Sequence, residues 1–382
     1  MDGSEGHERH HDLRAAPTAH PSQRPHLAAV VEDAFYDVVG RMLRRLGWRP
    51  RLLVYTGYGT PEKVRVMARV LLAPAGAARR DDRRPLRRGF RHFLTVPAPD
   101  SPVRVRVGTH EVDAVTDRSG YIDLELTLPE GDTLPAGRQE AVLTSLESPE
   151  APSLPAPLLV LDGATRFGVV SDIDDTTLVT GVPRPLLATW NTFVRRAGSR
   201  RAVPGMAALY RTLEEAHPDA GFFYVSNGAW NTAAALRAFL ARSGYPAGPL
   251  LLTDWGPTLT GWFRSGPQHK RASIDLLMSW FPHVRWLLVG DDGQHDPEIY
   301  ADAVQRWPDR VCAVAIRQVA HPGGSDAGSD AAHEGAGHGQ PGTGPTTADP
   351  AGGGEPGTPV VRGRDGAVLA ERLGRLPGVL DG

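Results

Sequence analysis

Three carboxylates and a hydroxyl crowd the stretch Ser171-Asp-Ile-Asp-Asp-Thr176, directly after the apolar run Phe167-Gly-Val-Val170. Side chains of an extended chain alternate, so Asp172 and Asp174 face one way while Ile173 and Asp175 face the other. Two carboxylates held that close repel each other, and a divalent cation or a shared proton must offset the repulsion. A site built from carboxylate oxygens suits a hard cation such as Mg²⁺. The same residues could instead make a solvated acidic turn, with Asp175 or Thr176 capping a helix. The rest of the chain decides between the two.

Three other stretches place reactive groups at a strand end or helix start. Phe222-Phe-Tyr-Val-Ser-Asn-Gly228 is an apolar run that stops at Ser226, Asn227 and Gly228. A hydroxyl and close-approaching backbone N–H groups can hold phosphate oxygens; a Ser/Asn helix cap is the alternative. Lys270 opens a helical pattern after Gly261-Trp-Phe-Arg-Ser-Gly-Pro-Gln-His269 and would offset the charge of carboxylates and phosphate. Trp286-Leu-Leu-Val-Gly-Asp-Asp-Gly-Gln-His-Asp296 repeats the strand-to-carboxylate layout. There Asp291 or Asp292 could complete the coordination of Mg²⁺, with Asp296 on the following turn.

Taken in order, these four stretches resemble the haloacid dehalogenase superfamily of phosphotransferases. Ser171-Asp-Ile-Asp-Asp-Thr176, Val225-Ser-Asn227, His269-Lys270 and Gly290-Asp-Asp-Gly-Gln-His-Asp-Pro-Glu-Ile-Tyr300 are similar, more closely, to the family of the actin-patch-associated phosphatidate phosphatase and its bacterial relatives. The likeness covers about residues 161–320. It implies an enzyme, a phosphoric monoester hydrolase with Asp172 as nucleophile and Asp174 as general acid and base. It further implies Mg²⁺ held by Asp172, the backbone carbonyl of Asp174 and Asp291. Thr176, Ser226, Asn227, Gly228 and Lys270 would bind the phosphoryl group, with Lys270 also catalytic and Asp292 and Asp296 in support. The chain departs from that family at Asp292, where Ser is usual, and at Gly228-Ala229, where Ser-Pro is usual. The first adds a charge beside the metal; the second alters the loop after Ser226 and with it substrate preference.

The elements that must position these groups follow from texture. Beyond residue 157 the chain alternates apolar strands (Phe167–Ser171, Phe222–Val225, Leu250–Leu252, Arg285–Val289, Val311–Ile316) with helical segments (Met206–Glu215, Thr232–Ser243, Lys270–Trp280). That alternation predicts an α/β domain with a Rossmann-like parallel sheet over residues 158–320. The preceding half reads differently. Short alternating runs such as Val103-Arg-Val-Arg-Val107 and Ile122-Asp-Leu-Glu-Leu-Thr-Leu128, divided by turn residues, predict a small antiparallel β-sandwich. With a helix from about His26 to Leu46 it makes a domain of residues 26–150, and Thr116-Asp-Arg-Ser-Gly-Tyr121 resembles a turn of transthyretin-like modules. The Pro-rich stretch 146–157 reads as a connector. Residues 1–25 and the Gly/Pro-rich 321–358 are expected to be disordered, and 359–382 to form a helical tail that docks or detaches.

Composition sets outer limits. The chain has 382 residues, 41% hydrophobic and 23% charged, with a net charge of −2, so no global field draws it to nucleic acid. A single cysteine, Cys312, excludes a disulfide framework and fits a cytoplasmic location. No apolar stretch is long enough to span a bilayer, and the N-terminus lacks the apolar core of a signal peptide. Contact with an anionic membrane would therefore be peripheral. Seven arginines between Arg79 and Arg91 could make it, as could the mixed apolar and basic segment Val182–Arg201. Three functions follow for testing: a phosphatidate phosphatase, a phosphatase of soluble or polynucleotide phosphomonoesters, and a non-catalytic adaptor with a vestigial phosphatase fold.

Overall fold

The computed structural model describes residues 38–74, 96–148, 150–179, 201–253, 266–293, 295–319 and 357–381. The Arg79–Arg91 loop, the Val182–Arg200 segment, residues 254–265 ahead of Lys270, residues 1–37 with the start of the expected first helix, and residues 320–356 lie outside them.

Nine strands build the first sheet: β1 (Trp48–Val54), β2 (Gly57–Gly59), β3 (Lys63–Pro74), β4 (Val96–Pro97), β5 (Pro102–Val107), β6 (His110–Val115), β7 (Tyr121–Thr127), β8 (Gly137–Ser145) and β9 (Leu154–Val160). They pair antiparallel except β2 with β9, in the order β1-β3-β2-β9-β8-β5-β6, with β4 and β7 also on β3. The alternation in β5 buries Val103, Val105 and Val107 and leaves Arg104 and Arg106 outside. The Pro-rich connector expected at 146–157 is in part strand. In β9 Ala156, Leu158 and Val160 are buried while Pro155 and Pro157 face out. β2 reaches only Leu158–Val160, so both prolines fall where β9 has one neighbour and the missing N–H costs no ladder bond.

The second sheet is β10 (Phe167–Asp172), β11 (Gly221–Ala229), β12 (Leu250–Thr253), β13 (Arg285–Asp291), β14 (Val311–Arg317) and β15 (Val360–Gly363). Every pairing in it is parallel, and the order is β12-β11-β10-β13-β14-β15. Among the described residues five helices accompany it: α1 (Met206–Ala216), α2 (Ala233–Ser243), α3 (Gly266–Trp280), α4 (Asp296–Arg306) and α5 (Gly366–Leu373). Counted from β10, the strand order is 3-2-1-4-5-6, that of a doubly wound sheet. Its direction reverses between β10 and β13, and such a sheet opens a crevice at the carboxyl ends of those two strands. All six residues of β10 are buried, as a strand covered on both faces requires.

The C-terminal tail does more than dock a helix. β15 adds the sixth strand, and α5 packs on α1 with Gly366 N donating to Pro204 O at 2.9 Å. The two sheets join through Tyr58 of β2, which is fully buried and meets Phe223, Trp280 and Phe281 at centroid distances of 5.4, 5.6 and 6.2 Å. Among the described residues no helix is long and apolar enough to cross a membrane.

Candidate active site

Four segments deliver side chains to the crevice, each for a local reason. β10 is apolar up to Ser171 and ends in Asp172, so the carboxylate emerges at the strand tip. β13 does the same with Asp291 after Trp286–Gly290. On α3 the buried positions are Lys270, Ser273, Ile274, Leu277 and Met278. Lys270 thus occupies the inward stripe of its helix, and its stem runs through the core toward the strand ends. On α4 the inward stripe is Asp296, Ile299, Tyr300 and Ala303, with Asp296 in the first turn, where the helix dipole favours a negative charge.

The result is a compact charged cluster. Lys270 Nζ lies 2.6 Å from Asp172 Oδ1 and also bonds Asp296 Oδ1. Asp296 Oδ2 accepts from Asp291 N at 3.3 Å, and Asp291 Oδ1 accepts from Gly293 N at 2.6 Å. One carboxylate oxygen from each of Asp172, Asp291 and Asp296 falls within 4.8 Å of the others, and all three residues are buried. Gly290 makes the approach feasible: a Cβ there would meet Asp296 Oδ2 at 2.5 Å.

Asp174 sits beside this cluster. Its Oδ2 accepts from Ser226 Oγ at 2.8 Å, and Ser226 Oγ accepts from Gly228 N at 2.9 Å. The side chains of Asp172 and Asp174 therefore have different partners, a lysine and a hydroxyl. Ile173 between them is fully buried in the core. Asp175 turns the chain in a left-handed conformation with φ 57°. Thr176 Oγ1 and Asn227 Oδ1 are buried and have no protein partner.

The charges shape each ionisation. Burial pushes the Asp172 carboxyl well above its usual range; Lys270 draws it back, and Asp296, Asp174 and Asp291 push it up again. Burial also raises Asp291, to about 7, with Asp296 adding to the effect and Lys270 opposing it. Lys270 moves up as well: burial opposes its charge, and Asp172 and Asp296 outweigh that. One ammonium cannot neutralise this many carboxylates, and Asp172 Oδ2 and Asp291 Oδ2 are both buried with no protein partner. Two orphaned oxygens on adjacent strand tips, both anionic at full ionisation, fit a hard divalent cation. The three buried aspartates can hold a metal ion.

The structure brings together Asp172, Lys270, Asp291 and Asp296, places Asp174 two residues past the end of β10, and sets Ser226, Asn227 and Gly228 on the neighbouring strand β11. It sets Asp292 apart. That residue was an alternative metal ligand, but its Oδ1 accepts from Val319 N at 2.7 Å, turning the charge toward the exit of β14. Sequence reasoning passed over Arg317, whose Nη1 donates to Asp175 O at 2.5 Å. Its position one residue past the apolar run Val311–Ile316 was the available signal, since it too ends a strand of this sheet.

Residues 167–318 match the family model described as "Phosphatidate phosphatase APP1, catalytic domain". This stretch resembles the APP1 catalytic domain. Phosphatidate phosphatase APP1 of Saccharomyces cerevisiae is 29% identical over 238 residues, covering 59% of this chain and 39% of the yeast protein. An uncharacterized protein of Schizosaccharomyces pombe is 24% identical over 154 residues, covering 40% of this chain and 25% of its own length. The chain thus spans well under half of either relative. Among solved structures, the HAD domain of the Legionella pneumophila effector Lem4 aligns at 15% identity and a TM-score of 0.28, covering 43% of this chain and 91% of that one. All four motif stretches fall inside the APP1-like region.

Proposed function

We propose that the chain is a Mg²⁺-dependent phosphatase that works through an aspartyl-phosphate on Asp172 and converts phosphatidate to diacylglycerol. The observation that carries this reading is the convergence at the switch point: Lys270 on Asp172 at 2.6 Å, with Asp291 and Asp296 in the same buried group. The likeness to the APP1 catalytic domain supports the substrate class.

Asp172 attacks the phosphorus in line, so a P–O bond forms to its carboxylate as the bond to the alcohol oxygen breaks. Asp174 gives its proton to the departing alcohol. It then takes a proton from water, whose oxygen attacks the phosphorus and frees Asp172. The two carboxyls need opposite protonation states, and at Asp172 the ammonium of Lys270 works against the upward push of burial. Lys270 favours the anion at Asp172, while Ser226 Oγ orients Asp174 from 2.8 Å. Thr176, with a buried hydroxyl free of protein partners, has a proton to donate to a phosphoryl oxygen. Asp172, the carbonyl of Asp174 and Asp291 would hold Mg²⁺, which when bound neutralises phosphate oxygens and the excess carboxylate charge.

Phosphate release from phosphatidate vesicles, an aryl phosphate and 3′-phosphorylated DNA, each with and without EDTA, tests the reading. Release from phosphatidate that EDTA removes is expected. Asp172→Asn is expected to abolish turnover with circular dichroism unchanged, and near-normal hydrolysis by that variant refutes the nucleophile. Release confined to DNA ends would move the assignment to polynucleotides; no release from any substrate would leave an adaptor.

A further inference from the structure

Residues 38–45 are helical and carry apolar side chains on two faces. One face rests on the sandwich: Gly40 is buried with Leu72 alongside, and Leu43 packs on the sandwich core. The other faces water. Val38, Met42 and Leu46 are 58%, 53% and 68% exposed. They recur every fourth residue and so line up in one row. Arg41 and Arg45 keep the same spacing in the adjacent row and are exposed, and Arg49, just past the helix in β1, is exposed too. Between residues 38 and 54 there are five arginines and no acidic residue, in a chain whose net charge is −2. Arg44 is turned to the inner side, bonded to Ser101 and Glu147.

A row of large apolar side chains beside a row of arginines is the pattern of a helix lying in a lipid–water interface. Arginine beside anionic headgroups adds attraction that neutral lipid does not give. The same arginines disfavour a second copy as the occupant, because two such faces brought together would set like charges against each other.

The position suits a footing rather than a lid. β1 leads from Trp48 to Val54, and Tyr55 then meets Trp230, just past β11, at a centroid distance of 4.5 Å with the rings tilted. Seven strand residues span roughly 23 Å, which separates the helix from the catalytic strand ends. We propose that the outward face of residues 38–49 docks on an anionic lipid bilayer and holds the enzyme at the surface where a phospholipid monoester resides. The phosphatidate reading gives this face its purpose, but the test below does not depend on catalysis.

The full chain is mixed with vesicles of phosphatidylcholine alone or with about a third phosphatidylserine, an anionic lipid that is not a substrate, and sedimented. Binding to the anionic vesicles only is expected, falling as salt is added. Arg41→Gln/Arg45→Gln/Arg49→Gln should weaken it about a hundredfold. Met42→Ser/Leu46→Ser should weaken it about tenfold. Both variants should hydrolyse a soluble aryl phosphate as the parent does, which shows that they fold. Absence of binding by the parent, equal binding to neutral vesicles, or binding that survives both sets of changes overturns the proposal. A parent dimer that Met42→Ser/Leu46→Ser abolishes would also overturn it, making a second copy the occupant. A chain that binds vesicles yet releases no phosphate from phosphatidate sinks the catalytic reading and leaves this one standing.

Discussion

Lys270 is a lysine where the periodicity of its helix calls for a leucine. A lone buried ammonium is costly, and it persists here because Asp172 and Asp296 both bond it. Asp296 in turn holds the backbone of Asp291. These contacts pass through Gly290, which has no room for a side chain: a Cβ would lie 2.5 Å from Asp296 Oδ2 and 2.7 Å from the ring of Tyr300. Gly290→Ala should therefore push Asp296 off Lys270 and Asp291. A loss of about 1–3 kcal/mol in thermal unfolding and a fall in kcat of at least about tenfold are expected. Parent-like kinetics would show that Asp296 can move without consequence. At this scale the sequence was informative, because each of Asp172, Ser226, Lys270 and Asp291 is a polar residue at the end of an apolar run or on an apolar stripe. Asp292 was ambiguous for the same reason: two adjacent aspartates follow Gly290, and only the path of β14 decides which faces the crevice.

At the scale of elements, buried parallel strands were legible as continuous apolar runs, and β10 to β14 were recognisable from them. β2, with Gly-Tyr-Gly, and β15, with two valines, are too short to carry a pattern. β9 was hidden by its prolines, which read as a linker when the neighbouring strands are unknown. The unseen β15 bears on the site through β14. Gln318 N donates to Gly363 O at 2.8 Å, and Arg317 just before it clamps the carbonyl of Asp175. That clamp holds a non-glycine residue at φ 57°, a conformation that disfavours side chains, one position after the proposed acid. Losing a charged hydrogen bond here should misplace Asp174. Arg317→Met is expected to lower kcat for an alkyl phosphate about tenfold to a hundredfold, and to lower it less for an aryl phosphate, whose leaving group needs little protonation. Equal losses on both would mean that Arg317 serves the fold alone.

At the scale of the molecule, the two sheets are not beads on a string. Tyr58 enters the aromatic core of the α/β sheet, Arg65 Nη1 donates to its hydroxyl at 2.9 Å, and Arg237 Nη2 donates to Val54 O at 3.2 Å. Whatever orients the sandwich against a surface therefore orients the catalytic crevice with it. The parallel junction of β14 with β15 has a different outcome. Val314 N donates to Pro359 O at 2.9 Å, Leu369 and Leu373 are fully buried, and Gly366 seats against Pro204. None of these bonds needs a peptide link between Val319 and Gly357. A protease site engineered into that interval should give two fragments on a denaturing gel that still elute as one particle, with hydrolysis retained; release of the small fragment would contradict this. The active protein is then, in effect, a heterodimer written as one chain, and its last strand could be supplied in trans.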